Sequence, residues 1–265
     1  MIVAEKQKLK PKFFLSSGSK WLLPVLCTAG LLLLWEFWIG DSLKFVLPRP
    51  SLILKQFFDQ FALLANNAKV TVFEAFIGLA IGTVIGIVSA VGFVYSKIFA
   101  KSVYPYALIL RSLPLMAILP ILTSLMGPGY VSKITLIALA SFFPILINMV
   151  QGLTTINKTT IELMQSLNAS KREIFWKVRL PSSLPYLFTA LKISGSGAIV
   201  AAIISEYMYA VNGLGALMVS FMFGARLLDL WATLLASTIL SLLVYVLIVI
   251  LEKAFIPWGK HIKEV

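Results

Sequence analysis

Long apolar runs separated by short polar breaks set the pattern of this chain. The runs fall at Trp21–Ile39, Ala68–Val94, Ser102–Met126, Val131–Gln151, Leu187–Ala210 and Asp229–Leu251. Each approaches or exceeds the roughly 20 residues a helix needs to cross the hydrocarbon core of a bilayer. Hydrocarbon offers backbone groups no outside hydrogen-bond partner, so every run is predicted to be helical. The expected fold class is all-α, a polytopic membrane bundle of about six helices. One membrane domain, 21–252, is expected between an N-terminal tail, 1–20, and a C-terminal tail, 253–265.

The longest polar break, 152–186, separates the fourth and fifth runs and is expected at one membrane face. Its centre reads ELMQSLNASKREIFWKVRLP, Glu162 to Pro181. Glu162 opens a helix-compatible stretch and Asn168 ends or bends it. Ile174 and Phe175 return as an apolar pair, and Leu180-Pro181 stops the segment. A short amphipathic element projecting from a membrane bundle reads as a docking piece for a partner outside the membrane.

Composition agrees with the pattern: 59% of the 265 residues are hydrophobic and 13% charged, too apolar for a soluble domain. The net charge is +12, and it is unevenly spread. Lys6, Lys8, Lys10, Lys12, Lys20, Lys97, Lys101, Lys158, Lys171, Arg172, Lys177, Arg179, Lys253, Lys260 and Lys263 fall on one side of a six-span topology. Lys44, Arg49, Lys55, Lys69, Lys133 and Arg226 fall on the other. The positive-inside bias places both termini and the long loop in the cytoplasm, and no nucleic-acid partner is needed to explain the charge. The first run is longer than a signal-peptide core and is read as an anchor. Cys27 stands alone, so no internal disulfide or thiolate metal site is expected, and His261 reads as a solvated tail residue.

Inside the runs, a few residues stand out. Ser51 is expected to cap an amphipathic helix that lays Leu52, Phe57, Phe58, Phe61 and Leu64 against the outer interface. Gly78, Gly82 and Gly86 share one helical face, for helix packing or for a glycine-lined passage. Pro105, Pro114 and Pro120 interrupt the third run, which also carries Arg111, and this run is the first candidate for a pathway wall. Arg111 is read either as half of a buried ion pair with Glu36, Glu74 or Glu206, or as a contact for solute. Ser141 and Asn148 offer uncharged hydrogen bonds to a solute or to a neighbouring helix. Glu206 sits in a polar cluster before Asn212-Gly213-Leu214-Gly215, at a gate or at the interface. The sequence contains no phosphate-binding GxxxxGK[ST] loop, no HExxH and no GxSxG, so neither a catalytic set nor a metal site is expected.

The long loop resembles the EAA motif of permease subunits of bacterial binding-protein-dependent ABC importers: Glu-Ala-Ala, three residues, Gly, nine residues, then Ile-x-Leu-Pro. Glu162 matches the acid, Ala169 follows the glycine position, Ile174-Phe175 matches a frequent apolar pair, and Leu180-Pro181 closes the motif. Leu163 and Met164 replace the alanines and Asn168 replaces the glycine, a residue that tolerates positive φ. Trp35-Glu36, Leu47-Pro48-Arg49-Pro50-Ser51, Leu110-Arg111-Ser112-Leu113-Pro114 and Ser141-Phe142-Phe143-Pro144-Ile145 are similar to the nitrate/sulfonate/taurine branch. Glu74 stands where that branch has a basic residue and is read as a possible charge partner of Arg111.

The resemblance implies a permease in the bacterial inner membrane, with two identical permease subunits expected to form the pathway. Two cytoplasmic ATPases, which use ATP and Mg, would each receive one loop helix, and an extracytoplasmic binding protein would deliver solute. This chain itself would bind no cofactor. Glu162, Leu163, Met164, Asn168, Ala169, Ile174, Phe175, Leu180 and Pro181 would form the coupling piece. A small nitrate-, sulfonate- or taurine-like anion is the favoured cargo. A thiamine-precursor pyrimidine or riboflavin-like solute is the alternative, and an ion-coupled secondary transporter the more distant one.

Overall fold

A computed structural model describes residues 19–38, 46–112 and 114–257. The N-terminal lysines up to Lys12, Lys44 and His261 lie outside the described residues, as does the Arg111 side chain. Among the described residues the chain is helical throughout: α1 Ser19–Trp38, α2 Pro50–Asp59, α3 Phe61–Tyr95, α4 Lys97–Ser112, α5 Leu115–Met126, α6 Tyr130–Thr154, α7 Lys158–Ser166, α8 Lys171–Ile174, α9 Leu180–Tyr209, α10 Leu214–Phe223 and α11 Leu227–Phe255.

Four described helices are long and apolar enough to cross a membrane: Phe61–Tyr95, Tyr130–Thr154, Lys171–Tyr209 and Leu227–Phe255. Shorter apolar stretches occupy Leu22–Phe37, Met116–Met126 and Leu214–Phe223. The third expected run is therefore two helices. Pro114 sits between α4 and α5 with extended backbone, φ −67° and ψ 121°, because proline lacks the N–H that would continue the helix and its ring clashes with the preceding turn. The amphipathic segment after α1 is divided as well: it ends at Asp59, and Leu64 lies buried in α3.

The core is built on α6. Gly78, Gly82 and Gly86 of α3 face Ile137, Ala138 and Ile145 of α6, and a Cβ on Gly82 would stand 2.6 Å from the Ala138 carbonyl oxygen. Residue numbers rise together along this contact, so α3 and α6 run parallel. Small residues let the backbones approach until dispersion contacts fill the seam. Helix α9 packs antiparallel against both, with Ala198, Ile199, Ala201 and Ala202 meeting Ala75 and Ile137. Helix α11 returns along α9, where Ile248 fills the notch at Gly195.

Two ends of the bundle follow from these directions. One carries α7 and the head of α9, together with the starts of α1 and α4. The other carries α2, α10 and the turn Gly127–Gly129, where Gly127 adopts φ 84°. At this second end, Ser51 does not cap α2. Arg49 holds the cap position with Pro50 first in the helix, a place where the missing N–H costs nothing. The Ser51 N–H and hydroxyl instead donate to the Glu36 carboxylate at 3.1 and 2.7 Å, which ties the end of α1 to the start of α2. Trp231 donates from Nε1 to the Val46 carbonyl at 3.1 Å, and its ring meets Trp35 edge-on at 5.6 Å.

Candidate functional site

The 155–170 segment is built to hold its shape. The Asn157 side chain accepts the Thr159 N–H and starts α7 at Lys158, so Glu162 lies in mid-helix rather than at its opening. Helix α7 ends at Ser166 with Leu167 in the cap position, and Asn168 then turns the chain with φ 62°. Asn is among the few non-glycine residues that occupy this left-handed region at low cost. The Ala169 N–H closes the turn on the Met164 carbonyl at 2.9 Å. A capping box follows, in which the Ser170 hydroxyl accepts the Glu173 N–H and the Glu173 carboxylate accepts the Ser170 N–H. The Glu173 carboxyl is held below the usual carboxylate range, first by the Ser170 backbone N–H, then by the Ser170 hydroxyl and Lys177.

From Lys171 the helix does not stop at Leu180-Pro181. It passes through one π-helical stretch, Phe175–Arg179, and runs on to Tyr209. The wider π turn precedes Pro181, which has no N–H to give and takes an early position in the regular helix that follows. The rod of 39 residues is about 58 Å long at 1.5 Å per residue. That is nearly twice the roughly 30 Å hydrocarbon core, so its head projects beyond the apolar layer.

The motif residues divide into two sets. Glu162, Leu163 and Asn168 are exposed, and Met164 and Ala169 are half-buried. Leu163 is 59% exposed, as is its neighbour on the turn, Leu167, at 70%, although both are large apolar side chains. Ile174 is buried, and Phe175 packs on the α3/α6 core and against the Tyr95 ring. The first set faces outward and the second anchors the helix head to the bundle. Leu180 and Pro181 are half-buried within the rod. Arg179, which sequence reasoning left as a topology charge, donates from Nη1 to the Leu153 carbonyl at 2.7 Å. Beneath α7 lies a cavity of about 270 Å3 bounded by Gly152, Asn157, Thr160, Val178, Ser182 and Tyr186.

Among the intramembrane candidates, Glu74 has a lysine as its partner. Its Oε1 accepts from Lys133 Nζ at 2.7 Å, and both residues are buried between α3 and α6. Lys133 belongs to the first turn of α6 and is buried, where the charge map had counted it among the charges of the outer side. A second ion pair, Lys192 to Glu252 at 2.8 Å, joins α9 to α11. Asp229, buried at the start of α11, accepts from Gln56 at 2.6 Å and from Arg226 at 2.9 Å. Ser141 is buried at the Gly82 crossing, and Asn148 donates to the Pro144 carbonyl of its own helix at 2.8 Å. Arg111 occupies the last turn of α4, just before the Pro114 break.

Glu206 is buried near the end of α9, at the start of α10. Gly213, with φ 116°, makes the corner; a side chain there would collide with the Glu206 carboxylate. Three successive N–H groups then enter the bundle. Gly213 donates to Asn67 Oδ1 at 2.9 Å, Leu214 to Thr71 Oγ1 at 3.1 Å and Gly215 to Glu206 Oε2 at 2.8 Å. The sequence signal for this seat was the pair Asn67 and Thr71 one turn apart, on the same side of α3 as Glu74.

Comparisons with known proteins agree with this architecture. The chain matches the family described as "Binding-protein-dependent transport system inner membrane component" over residues 82–259. It is 30% identical to a "Probable ABC transporter permease protein" of Haemophilus influenzae over 84% of this chain and 92% of that one. It is 29% identical to the "Formylaminopyrimidine transport permease protein ThiX" of Halalkalibacterium halodurans, over 89% and 96% of the two chains. Against the "Putative aliphatic sulfonates transport permease protein SsuC" of Bacillus subtilis the identity is 24%, over 90% and 88%. In fold it is similar to a chain of the inward-facing MetNI methionine ABC transporter, with a TM-score of 0.57 at 19% identity, covering 82% of this chain and 99% of that chain. The chain thus belongs to the family of inner membrane components of binding-protein-dependent transport systems.

Proposed function

We propose that this chain forms, with a second copy of itself, the membrane pathway of an ATP-driven importer for a small solute. Its termini and α7 face the cytoplasm, in keeping with the excess of Lys and Arg at that end. A separate ATPase, using ATP and Mg, receives α7 in a surface groove, and an extracytoplasmic binding protein delivers the solute to the α10 end. The observation that carries this reading is α7 itself. It exposes Glu162 and Leu163, is capped at its start, and is joined to α6 and to the 39-residue helix by short turns. A rigid piece joined in this way transmits displacement, whereas a slack loop would absorb it.

Within the loop, 152–186, Glu162, Leu163, Met164, Asn168 and Ala169 form the contact face. Ile174, Phe175, Leu180 and Pro181 fix the helix head to the bundle. The test is Glu162→Lys in the complex reconstituted with its ATPase and binding protein. ATP hydrolysis should continue while uptake is lost and membrane insertion stays normal; undiminished uptake would overturn the role given to α7.

A small anion is the first reading for the cargo, because Arg111 places a fixed positive charge on α4, in the run read as a candidate pathway wall. A pyrimidine-like heterocycle is the second, favoured by the likeness to the formylaminopyrimidine permease. Uptake assays with the cognate binding protein, offering sulfonates, nitrate and aminopyrimidines in turn, separate the two.

A further inference from the structure

A second cavity opens at the α7 end of the bundle, where α3 finishes and α4 begins. It holds about 420 Å3 and is bounded by Phe93 of α3 and by Ala100, Lys101, Tyr104 and Pro105 of α4. The Phe99 ring does not fill it, because that ring packs over Gly92 and edge-on to Phe93 at 5.5 Å. The walls are almost entirely apolar, and the two polar side chains on them, Lys101 and Tyr104, are exposed. Lys101 stands four residues into α4 and Pro105 eight, about 6 and 12 Å at helical rise. The cation is thus nearer the polar boundary of the membrane and the proline deeper. Pro105 also has no N–H for the Lys101 carbonyl one turn back, so that acceptor lacks its helical donor.

The protein supplies no counter-charge at this corner. Among the described residues, the acids at the α7 end are Glu162, Glu173 and Glu252. Lys177 and Ser170 occupy Glu173, and Lys192 occupies Glu252. Glu162 is exposed on α7, and no described acid forms an ion pair with Lys101. An apolar hollow with an unmatched cation at its polar end is complementary to an amphiphile with an acidic head.

We propose that this cavity binds one anionic phospholipid of the membrane, with its phosphate on the Lys101 ammonium and part of an acyl chain against Phe93, Ala100 and Pro105. Tyr104, an aromatic ring with a polar tip, suits the level where the two halves of the lipid meet. A headgroup that carries hydroxyls offers a donor to the Lys101 carbonyl as well. A zwitterionic lipid brings its own cation and leaves the lysine without net compensation. The inference rests on the membrane location alone and is independent of the cargo and of the coupling role of α7.

Native mass spectrometry of the full-length chain in its complex tests it. The probes are phosphatidylglycerol and phosphatidylcholine with identical acyl chains, offered at equal concentration. The wild type should retain phosphatidylglycerol about fivefold over phosphatidylcholine, the effect of one lysine at a membrane surface. Lys101→Gln should abolish that preference, whereas Lys253→Gln, at an exposed lysine of the last turn of α11, should keep it. No preference in the wild type, or equal losses in the two variants, would overturn the proposal, because the charge effect would then belong to the whole surface. Ala100→Phe fills the hollow and spares Lys101, so it should lower retention of both lipids. Unchanged retention there would remove the acyl chain from the site. Glycerol phosphate, a head without chains, should not compete at the same concentration; competition would make this a phosphate site rather than a lipid site.

Discussion

Arg179 and Leu153 join the base of the 155–170 loop: the guanidinium of one donates to the backbone carbonyl of the other at 2.7 Å, across the ends of α9 and α6. Leu153 lies in the last turn of α6, where carbonyls lack helical partners. A charge-assisted hydrogen bond of this kind contributes about 1.5–3 kcal/mol. Arg179→Ala should therefore speed amide hydrogen exchange through 155–170 while leaving the α3/α6 core as protected as before. Unchanged exchange in the loop would remove this clamp from the account.

Glycine substitutions should rank by what the new methyl meets. At Gly82 it meets backbone, the Ala138 carbonyl oxygen at 2.6 Å, which cannot rotate away; at Gly92 it meets the Phe99 ring edge at 2.9 Å. Gly82→Ala should cost about 1–3 kcal/mol or more as overpacking and Gly92→Ala less, while Gly197→Ala, with nothing within 4 Å, should be tolerated. Thermal unfolding of the three variants in one detergent checks the order.

Asn168 turns the chain with φ 62°. Asn168→Gly should retain the turn and full transport. Asn168→Val should cost about 1–2 kcal/mol for a left-handed residue with a branched Cβ, read as a lower unfolding temperature and as ATP hydrolysis less tightly tied to uptake.

Lys133 and Glu74 should behave as a unit. Lys133→Met alone strands a buried carboxylate at a cost of about 3–5 kcal/mol, whereas Lys133→Met with Glu74→Leu should recover most of that loss. A double-mutant cycle on unfolding temperature measures the coupling. Additive losses would mean that the two side chains do not depend on each other.

The apolar runs alone gave the long helices, because run length and the lack of backbone partners in hydrocarbon leave few alternatives. Boundaries set by polar chemistry were less legible. Ser51 had the residue type of a cap, but Pro50 claims the first helical position and Glu36 claims the serine. Pro181 had the look of a terminator, yet a proline preceded by a π turn sits inside a helix without breaking it. The pairing of Glu74 with Lys133 was not legible, because Lys133 is 59 residues away on a helix that runs parallel to α3. Nothing in residue spacing reports which helices become neighbours. The outward set of the loop was readable from the motif, whereas the anchoring role of Ile174 and Phe175 emerged only from the core they complete.

The parallel arrangement of α3 and α6 has a consequence for how the chain is made. Glu74 leaves the ribosome 59 residues before Lys133, an interval of about 3–12 s at 5–20 residues per second. Throughout that time α3 is available to the insertion machinery with an acid and no counter-charge. The nascent helix must therefore wait beside the translocon, or enter the lipid with its acid neutralised, until α6 arrives. Synthesis order thus makes α6 the element whose emergence commits the bundle, and a ribosome pause placed between α5 and α6 should prolong the interval in which the unfinished protein is open to quality-control proteolysis.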